Sequence, residues 1–278
     1  MCGIFGLLGP NSSQLEEEKD RIHQVMNHRG PDDRGFVRFD HVALGFNRLS
    51  ILDVSNAGHQ PMLDISERYT LVFNGEIFNY VELKNRFLED VEFRSSGDTE
   101  VLLQLLIRFG QKAITMLNGM FAFCFIDHVE RRFLLARDRF GIKPLYFSVK
   151  HRHLSFSSEL KGLPNFSDMK YTLNHQAILD FLGSGYIGGE HSVFNEVNRL
   201  KPGHYMKGSL ERIEESSLVI RPYWKLSVAP NQYQNEEDPK QILTYLESLK
   251  ELTPEFLKAT VQYRLSDNFI RMVLLPEK

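Results

Sequence analysis

Cys2 stands directly behind the initiator Met1. A residue this small in second place normally lets the methionine be trimmed, which would leave the cysteine with a thiol and a free α-amino group. An α-amine titrates at about 7.7–8.0 and a thiol near about 8.5, so at neutral pH part of the amine is able to take the thiol proton, directly or through a water. Nucleophile and general base would then share one residue. Gly3 leaves room for a carbonyl to approach, and Ile4, Phe5, Leu7 and Leu8 would anchor the terminus as a buried strand. By itself a cysteine here is more readily an accident of sequence than a reagent, so the case rests on what accompanies it. Cys124 lies within Phe123-Cys124-Phe125, where a buried, inert thiol is expected. His151 and His153 flank Arg152 in a turn with no cysteine or carboxylate at ligand spacing, so no metal site is expected. His28 and Arg29, just before Gly30-Pro31, read as a loop packed near the reactive terminus rather than as an acid and base pair.

The elements that would position these residues follow from periodicity. Val42, Leu44 and Phe46 alternate as a strand, and Tyr69 to Phe73 form another that runs into Asn74-Gly75, a dipeptide that readily bends the backbone into a turn. Val101, Leu102, Leu105, Leu106 and Phe109 recur at helical spacing, with Asp98 or Thr99 as the expected N-cap. Phe121, Phe123 and Phe125 alternate with Ala122, Cys124 and Ile126, and after polar Asp127 to Arg132 comes Phe133-Leu134-Leu135-Ala136, so a hairpin is expected. Strands apolar on both faces need a covering layer on each side, and two sheets between helical layers would supply it. The fold class expected is therefore α+β. Residues 165–226 repeat the mixture more weakly, and a polar stretch from Ala229 to Pro239 marks a domain boundary near 228. Beyond it, Ile242 to Leu249 and Phe256 to Leu265 show helical spacing around Thr253-Pro254.

Composition narrows the function classes. With 33 Lys and Arg against 36 Asp and Glu, the formal charge of −3 gives no net attraction to nucleic acid or anionic lipid. Two cysteines cannot build a disulfide framework, and the simpler assumption is a reducing compartment. The apolar start lacks a basic flank and gives way to Glu16, Glu17 and Glu18, unlike a signal peptide. No window approaches the ~20 apolar residues of a membrane span. A cytoplasmic protein without nucleic-acid or membrane partners is expected.

Cys2-Gly3-Ile4-Phe5-Gly6 belongs to a longer series: Asn27 to Asp33 (NHRGPDD), Asn47 to Asp53 (NRLSILD), Phe73 to Tyr80 (FNGEIFNY), Ser96 to Val101 (SGDTEV) and Arg137 to Tyr146 (RDRFGIKPLY). Together, in this order, these blocks resemble the glutaminase half of glutamine-dependent asparagine synthetases, a branch of the class II amidotransferases. Other class II branches usually carry a threonine-arginine-tryptophan block where this chain reads Asn47-Arg48-Leu49-Ser50-Ile51, which favours the asparagine synthetase branch. Phe156 to Lys161, Leu200 to Gly203 and Tyr223-Trp224 extend the similarity to about residue 226.

The resemblance implies a four-layer αββα sandwich of the N-terminal-nucleophile hydrolase type over residues 1–227. It also implies a reaction: Cys2 attacks the side-chain amide of L-glutamine, ammonia leaves, and water hydrolyses the glutamyl thioester. Asn74 and Gly75 would donate to the oxyanion. Arg48 would grip the α-carboxylate through its planar fork, and Asp98 would accept from the α-ammonium group. Leu49, Ile51, Leu52 and Glu76 would line the same pocket, although Leu49 and Ile51 are equally well explained as core residues. No cofactor or metal is implied for this hydrolysis. A resembling synthetase domain would need ATP and Mg, held by a Ser-Gly-Gly-x-Asp-Ser loop after a helix that Gln262 to Asp267 resembles. This sequence continues instead with Asn268 to Lys278, so residues 228–278 are expected to be a linker and the truncated start of that domain. Its uncovered apolar faces would favour self-association or a separate synthetase domain as partner. Two other readings stay open: a non-catalytic remnant or partner subunit that keeps the fold, and an N-terminal-nucleophile hydrolase of another amide.

Overall fold

The structure is a computed structural model and describes residues 1–10, 12–164 and 170–226. In chain order the first strands are β1 (Gly3–Leu8), β2 (Asp33–Phe39), β3 (Val42–Arg48), β4 (Met62–Leu63), β5 (Tyr69–Ile77), β6 (Gly119–Asp127) and β7 (Arg132–Arg137). Then follow β8 (Tyr146–Lys150), β9 (His153–Ser157), β10 (Asn198–Arg199), β11 (His204–Ser209) and β12 (Val219–Pro222). The α-helices are α1 (Leu15–Val25), α2 (Tyr80–Phe87), α3 (Asp98–Phe109), α4 (Ala113–Met116) and α5 (His175–Ser184). Two six-stranded sheets result, in the orders β10-β8-β9-β1-β3-β2 and β12-β11-β7-β6-β5-β4, with every pairing antiparallel.

The pleat explains the layers. In β1, Ile4 and Leu8 meet Val42, Leu44 and Phe46 in the space between the sheets, whereas Phe5 and Leu7 turn outward onto Leu15, Ile22 and Met26 of the α1 region. In the second sheet, Val72, Ala122, Cys124 and Ile126 face inward, and Leu71, Phe73, Phe121, Phe123 and Phe125 pack against Val101, Leu102, Leu105 and Leu106 of α3. Strands apolar on both faces thus sit between a helical layer and another sheet, and the αββα sandwich expected from the resemblance is what forms. The hairpin of β6 and β7 pairs Asp127 with Arg132 across its turn, as the polar interval predicts.

Two local expectations are corrected. Asn74-Gly75 does not turn: β5 runs on to Ile77, with Asn74 opposite Ala122 and Gly75 opposite Phe121. Glycine is needed there for proximity, since a Cβ would come 2.2 Å from the Met120 carbonyl oxygen and 2.8 Å from Phe121 Cα. Neither Asp98 nor Thr99 caps α3; Gly97 does so without a side-chain bond, because the Asp98 carboxylate is drawn to the Ile77 N–H at 2.8 Å. Contacts gather Met1–Lys225 into one compact unit. The two C-terminal helices read from periodicity, and the whole segment 228–278, lie outside the described residues.

Candidate active site

The inward parity that builds the core also builds the site. Cys2 lies two residues before inward Ile4, Arg48 two after inward Phe46, and Asn74 two after inward Val72, so all three project between the sheets. Gly3 opposite Asn47 brings the start of β1 to the end of β3. There the apolar layer opens into a cavity of about 230 Å³. Cys2, Arg48, Leu49, Ile51, Leu52, Asn74, Gly75, Glu76 and Asp98, every site residue expected from sequence, line it. Leu49 and Ile51 are not core residues: Leu49 is half-buried and Ile51 is exposed, in a segment that leaves β3 and borders the cavity.

Cys2 Sγ accepts the Leu49 N–H at 3.4 Å and lies 3.6 Å from the Leu49 carbonyl oxygen. Burial pushes the thiol up from its ordinary value, and the Leu49 N–H, the chain amine, Lys143 and Arg48 all oppose that shift. Met1 is in place and lines the cavity, so Cys2 here carries a peptide nitrogen, and burial depresses the Met1 amine. The Cys2 carbonyl accepts from Arg29 Nε at 3.0 Å, and Arg29 Nη1 reaches Glu159 Oε1 at 2.9 Å, beside His28 at 2.7 Å from the same oxygen. The loop containing His28 and Arg29 thus braces the backbone of Cys2. Met26 fixes the next residue: a Cβ on Gly3 would lie 2.4 Å from its methyl carbon.

Asn74 is 1% exposed, and neither its Nδ2 nor its Oδ1 has a hydrogen-bond partner. A buried amide left unpaired costs about 1–3 kcal/mol, so the fold does not keep it for its own stability. Asp98, also buried, sits at the mouth of α3. Burial first and the charge of Glu76 second push its carboxyl up to about 6, against the Ile77 N–H that favours the anion. Arg48 is buried and donates from Nη1 to the Ser55 carbonyl at 2.9 Å and from Nη2 to that of Asp53. The segment from Leu49 to Gly58 therefore folds back over its guanidinium, which keeps further N–H donors. Gly58 permits this, as a Cβ there would come 2.2 Å from Arg48 Nη2. Asp53 Oδ2 in turn accepts the Ser96 N–H at 2.7 Å, tying that segment to the loop before Asp98.

Sequence reasoning missed three contributors. Gln60 is buried in the cavity wall, accepting the Phe73 N–H at 2.6 Å. Glu100 accepts from Ser95 N–H and Oγ at 2.7 and 2.8 Å and from the Arg94 N–H, shaping the approach to Asp98. Lys143 lines the cavity although it is 5% exposed. Its signal was in plain view, a lysine between Ile142 and Pro144-Leu145, but only tertiary folding places it near Cys2. Among the described residues no group of three or more His, Cys, Asp or Glu side chains is disposed to hold a metal ion, and no helix is long and apolar enough to cross a membrane.

Comparison with known proteins agrees with this geometry. The model of a family described as a glutamine amidotransferase domain matches residues 1–224. Asparagine synthetase (glutamine-hydrolyzing) 1 of Bacillus subtilis is 31% identical over 247 residues, covering 87% of this chain and 38% of that protein. Asparagine synthetase (glutamine-hydrolyzing) 2 of the same organism is 33% identical over 235 residues, with coverages of 81% and 31%. An amidase of Gibberella zeae is 31% identical over 240 residues, with coverages of 81% and 34%. The chain thus spans less than half the length of the curated relatives it matches. Among solved structures, the glutamine phosphoribosylpyrophosphate amidotransferase of B. subtilis superimposes with a TM-score of 0.58 at 18% identity, over 81% of this chain and 50% of that one. At that identity the likeness concerns the fold.

Proposed function

The chain belongs to the class II glutamine amidotransferase family, and from that premise we propose that it hydrolyses the side-chain amide of L-glutamine to glutamate and ammonia. The observation that carries the reading is Asn74: a buried, unpartnered amide in the wall of the cavity that holds the Cys2 thiol. Removal of Met1 frees the α-amine of Cys2, which takes the thiol proton. The sulfur then attacks the amide carbon, and the negative charge that gathers on the former carbonyl oxygen is met by the Asn74 Nδ2–H and the Gly75 N–H. Collapse of this intermediate expels ammonia, protonated on departure through the α-amine, and leaves a glutamyl thioester. Water, deprotonated by the same amine, adds to the thioester; a second oxyanion forms in the same place, and glutamate leaves as the thiol is restored.

Specificity for a free amino acid comes from the opposite end of the cavity. Arg48 takes the α-carboxylate, exchanging or adding to its bonds with the Ser55 and Asp53 carbonyls, and Asp98 takes the α-ammonium group. Leu49, Ile51, Leu52 and Glu76 shape the passage between these two ends. The hydrolysis needs no cofactor. The ammonia is delivered to an asparagine-forming synthetase domain, as the names of the relatives suggest; the use of ATP and Mg by that domain and a cytoplasmic setting are part of the same proposal. Self-association through residues 242–265 or a separate synthetase partner completes the proposal; those residues lie outside the described ones.

Release of glutamate and ammonia from glutamine by the purified chain, beside a Cys2→Ala control, tests this. No release above the control sinks it. The amidase of G. zeae favours a second reading, hydrolysis of a different amide. In that case Arg48→Ala and Asp98→Ala leave the preferred reaction untouched.

A further inference from the structure

The connection from β7 to β8, Arg137-Asp138-Arg139-Phe140-Gly141-Ile142-Lys143, has no part in the hydrolysis as described. It is nevertheless tied down from both sides. The Asp138 carboxylate, 1% exposed, accepts four backbone N–H groups: Phe140 at 3.1 Å and Ile142 at 2.9 Å on Oδ1, Lys143 at 2.9 Å and Phe121 at 3.2 Å on Oδ2. Arg137 holds the carbonyls, donating from Nη2 to Gly141 at 2.7 Å, from Nε to Lys143 at 2.8 Å and from Nη1 to Leu200 at 2.7 Å. Gly141, at φ 66°, makes the turn between them, and a Cβ there would lie 2.8 Å from Pro202 Cγ and 3.0 Å from the guanidinium. Two buried groups of opposite charge thus satisfy the donors and the acceptors of one loop. The Phe121 N–H fixes that loop to β6 next to Met120, itself in the cavity wall.

What this clamp delivers to the cavity is Lys143. Three side-chain cations bear on the Cys2 thiol or its backbone, and two are committed: Arg29 to the Cys2 carbonyl and Glu159, Arg48 to the Ser55 and Asp53 carbonyls. Lys143 has no hydrogen bond or ion pair from its ammonium among the described residues. Lys143 is thus a cation on a side chain only 5% exposed, held in the cavity by a rigid loop, with the through-space charges of Glu76, Cys2 and Asp138 favouring its charged form against burial.

We propose that Lys143 is a functional residue of the same reaction, its ammonium supplying the positive potential that lets Cys2 Sγ carry negative charge inside the cavity, with Arg137 and Asp138 positioning it. This deepens the reading of Cys2 as the nucleophile and rests on it. The other charged groups that bear on the sulfur or the ammonium or share their cavity are the chain amine, Arg29, Arg48, Glu76, Asp98 and Asp138, and Asp32 bears on the chain amine. Glu76 and Asp138 favour the charged form of Lys143 against the burial that depresses it. Arg48 acts in the same sense as Lys143.

The test is the pH dependence of Cys2 alkylation by iodoacetamide in the full 278-residue chain, followed by intact mass with Cys2→Ala as the blank for Cys124. It reads thiolate fraction and needs no turnover of glutamine. Lys143→Met is expected to move the profile about one pH unit upward, making alkylation at pH 7 about tenfold slower while the plateau at high pH is unchanged. Lys143→Arg keeps the charge and is expected to stay within about twofold of the parent. A Lys143→Met profile that superimposes on the parent overturns the proposal. Should that variant not fold, Lys143→Arg and Lys143→Gln decide it: an arginine profile displaced as far upward as the glutamine one, or a glutamine profile unmoved, is equally fatal. A parent chain that alkylates with the expected profile but releases no ammonia from glutamine defeats the hydrolysis, and with it the role of Lys143 in that reaction, while a Lys143-dependent profile still upholds the electrostatic effect of Lys143 on the Cys2 thiol.

Discussion

Cys2 and Cys124 look into the same inter-sheet layer from opposite sheets, and both thiols are pushed up by burial. Around Cys124 nothing opposes that push: it sits at 0% exposure among Val72, Ile126 and Leu135, in the middle of β6. Around Cys2, at the end of the same layer, an N–H from Leu49 and the charges of Lys143 and Arg48 work the other way. The difference is position along the strand. Mid-strand, neighbours on the inward face are the apolar residues that hold the sheets together. At the strand ends the sheets give way to connections, and polar groups from β3, β5, the loop before α3 and the loop after β7 converge where the packing no longer needs apolar contact. One layer therefore serves as core over most of its length and opens into the candidate active site at one edge.

Removing each thiol is the strongest way to break this comparison. Cys2→Ala is expected to lower glutamine hydrolysis at least about a thousandfold, whereas Cys124→Ala stays within about twofold, measured as glutamate release at saturating glutamine. Comparable losses from both would mean that the inert core thiol is not inert.

Asn74→Ala is expected to lower kcat by about 10²–10³, the loss of one oxyanion donor worth about 2.7–4 kcal/mol. Because both polar atoms of Asn74 lack partners in the fold, denaturant unfolding is expected to show no loss of stability, and a gain of up to about 1 kcal/mol. A variant that loses stability and activity in proportion would place Asn74 with the core instead.

Asp98→Asn sharpens the electrostatic side. The Asp98 carboxyl titrates at about 6, above its ordinary 3.8, so its ionisation works against folding. The parent is therefore expected to lose up to about 3 kcal/mol of stability as pH rises from about 4 through about 6, and Asp98→Asn to lack that loss. In activity the sign reverses: only the ionised form accepts the α-ammonium, so KM for glutamine climbs in the parent below about pH 6. In the variant KM is about tenfold or more higher at pH 8. Equal pH profiles for the two proteins would count against both statements. The smallest effect belongs to the core: Cys124→Ser buries a hydroxyl among apolar neighbours, and chemical denaturation is expected to show about 1–3 kcal/mol of destabilisation with kcat unchanged.

Much of this was legible beforehand because it is local. The alternation in Ile4 to Leu8 and Phe121 to Ile126 fixes which side chains share a face, and every site residue drawn from the motif resemblance does border the one cavity. Where local rules competed with pairing they misled. Asn74-Gly75 has the composition of a turn, yet nine consecutive residue pairs between β5 and β6 outweigh a dipeptide preference. Asp98 has the composition of a cap, yet the Ile77 N–H, twenty-one residues away, claims it.

Side-chain type and pleat parity, both written in the order of residues, determined by themselves that a thiol, an amide and a guanidinium would point the same way from their strands, and that the strands would need covering on both faces. Only the tertiary structure decided that these groups meet at one edge, that the Asn74 amide is left without a partner, that Arg48 is folded under the Asp53 and Ser55 carbonyls, and that Lys143 lines the same cavity as Cys2. The reason is physical: the face of a strand depends on a two-residue repeat, whereas the company a side chain keeps depends on contacts such as Gly3 with Asn47 and Asp53 with Ser96, whose separation along the chain carries no local signal.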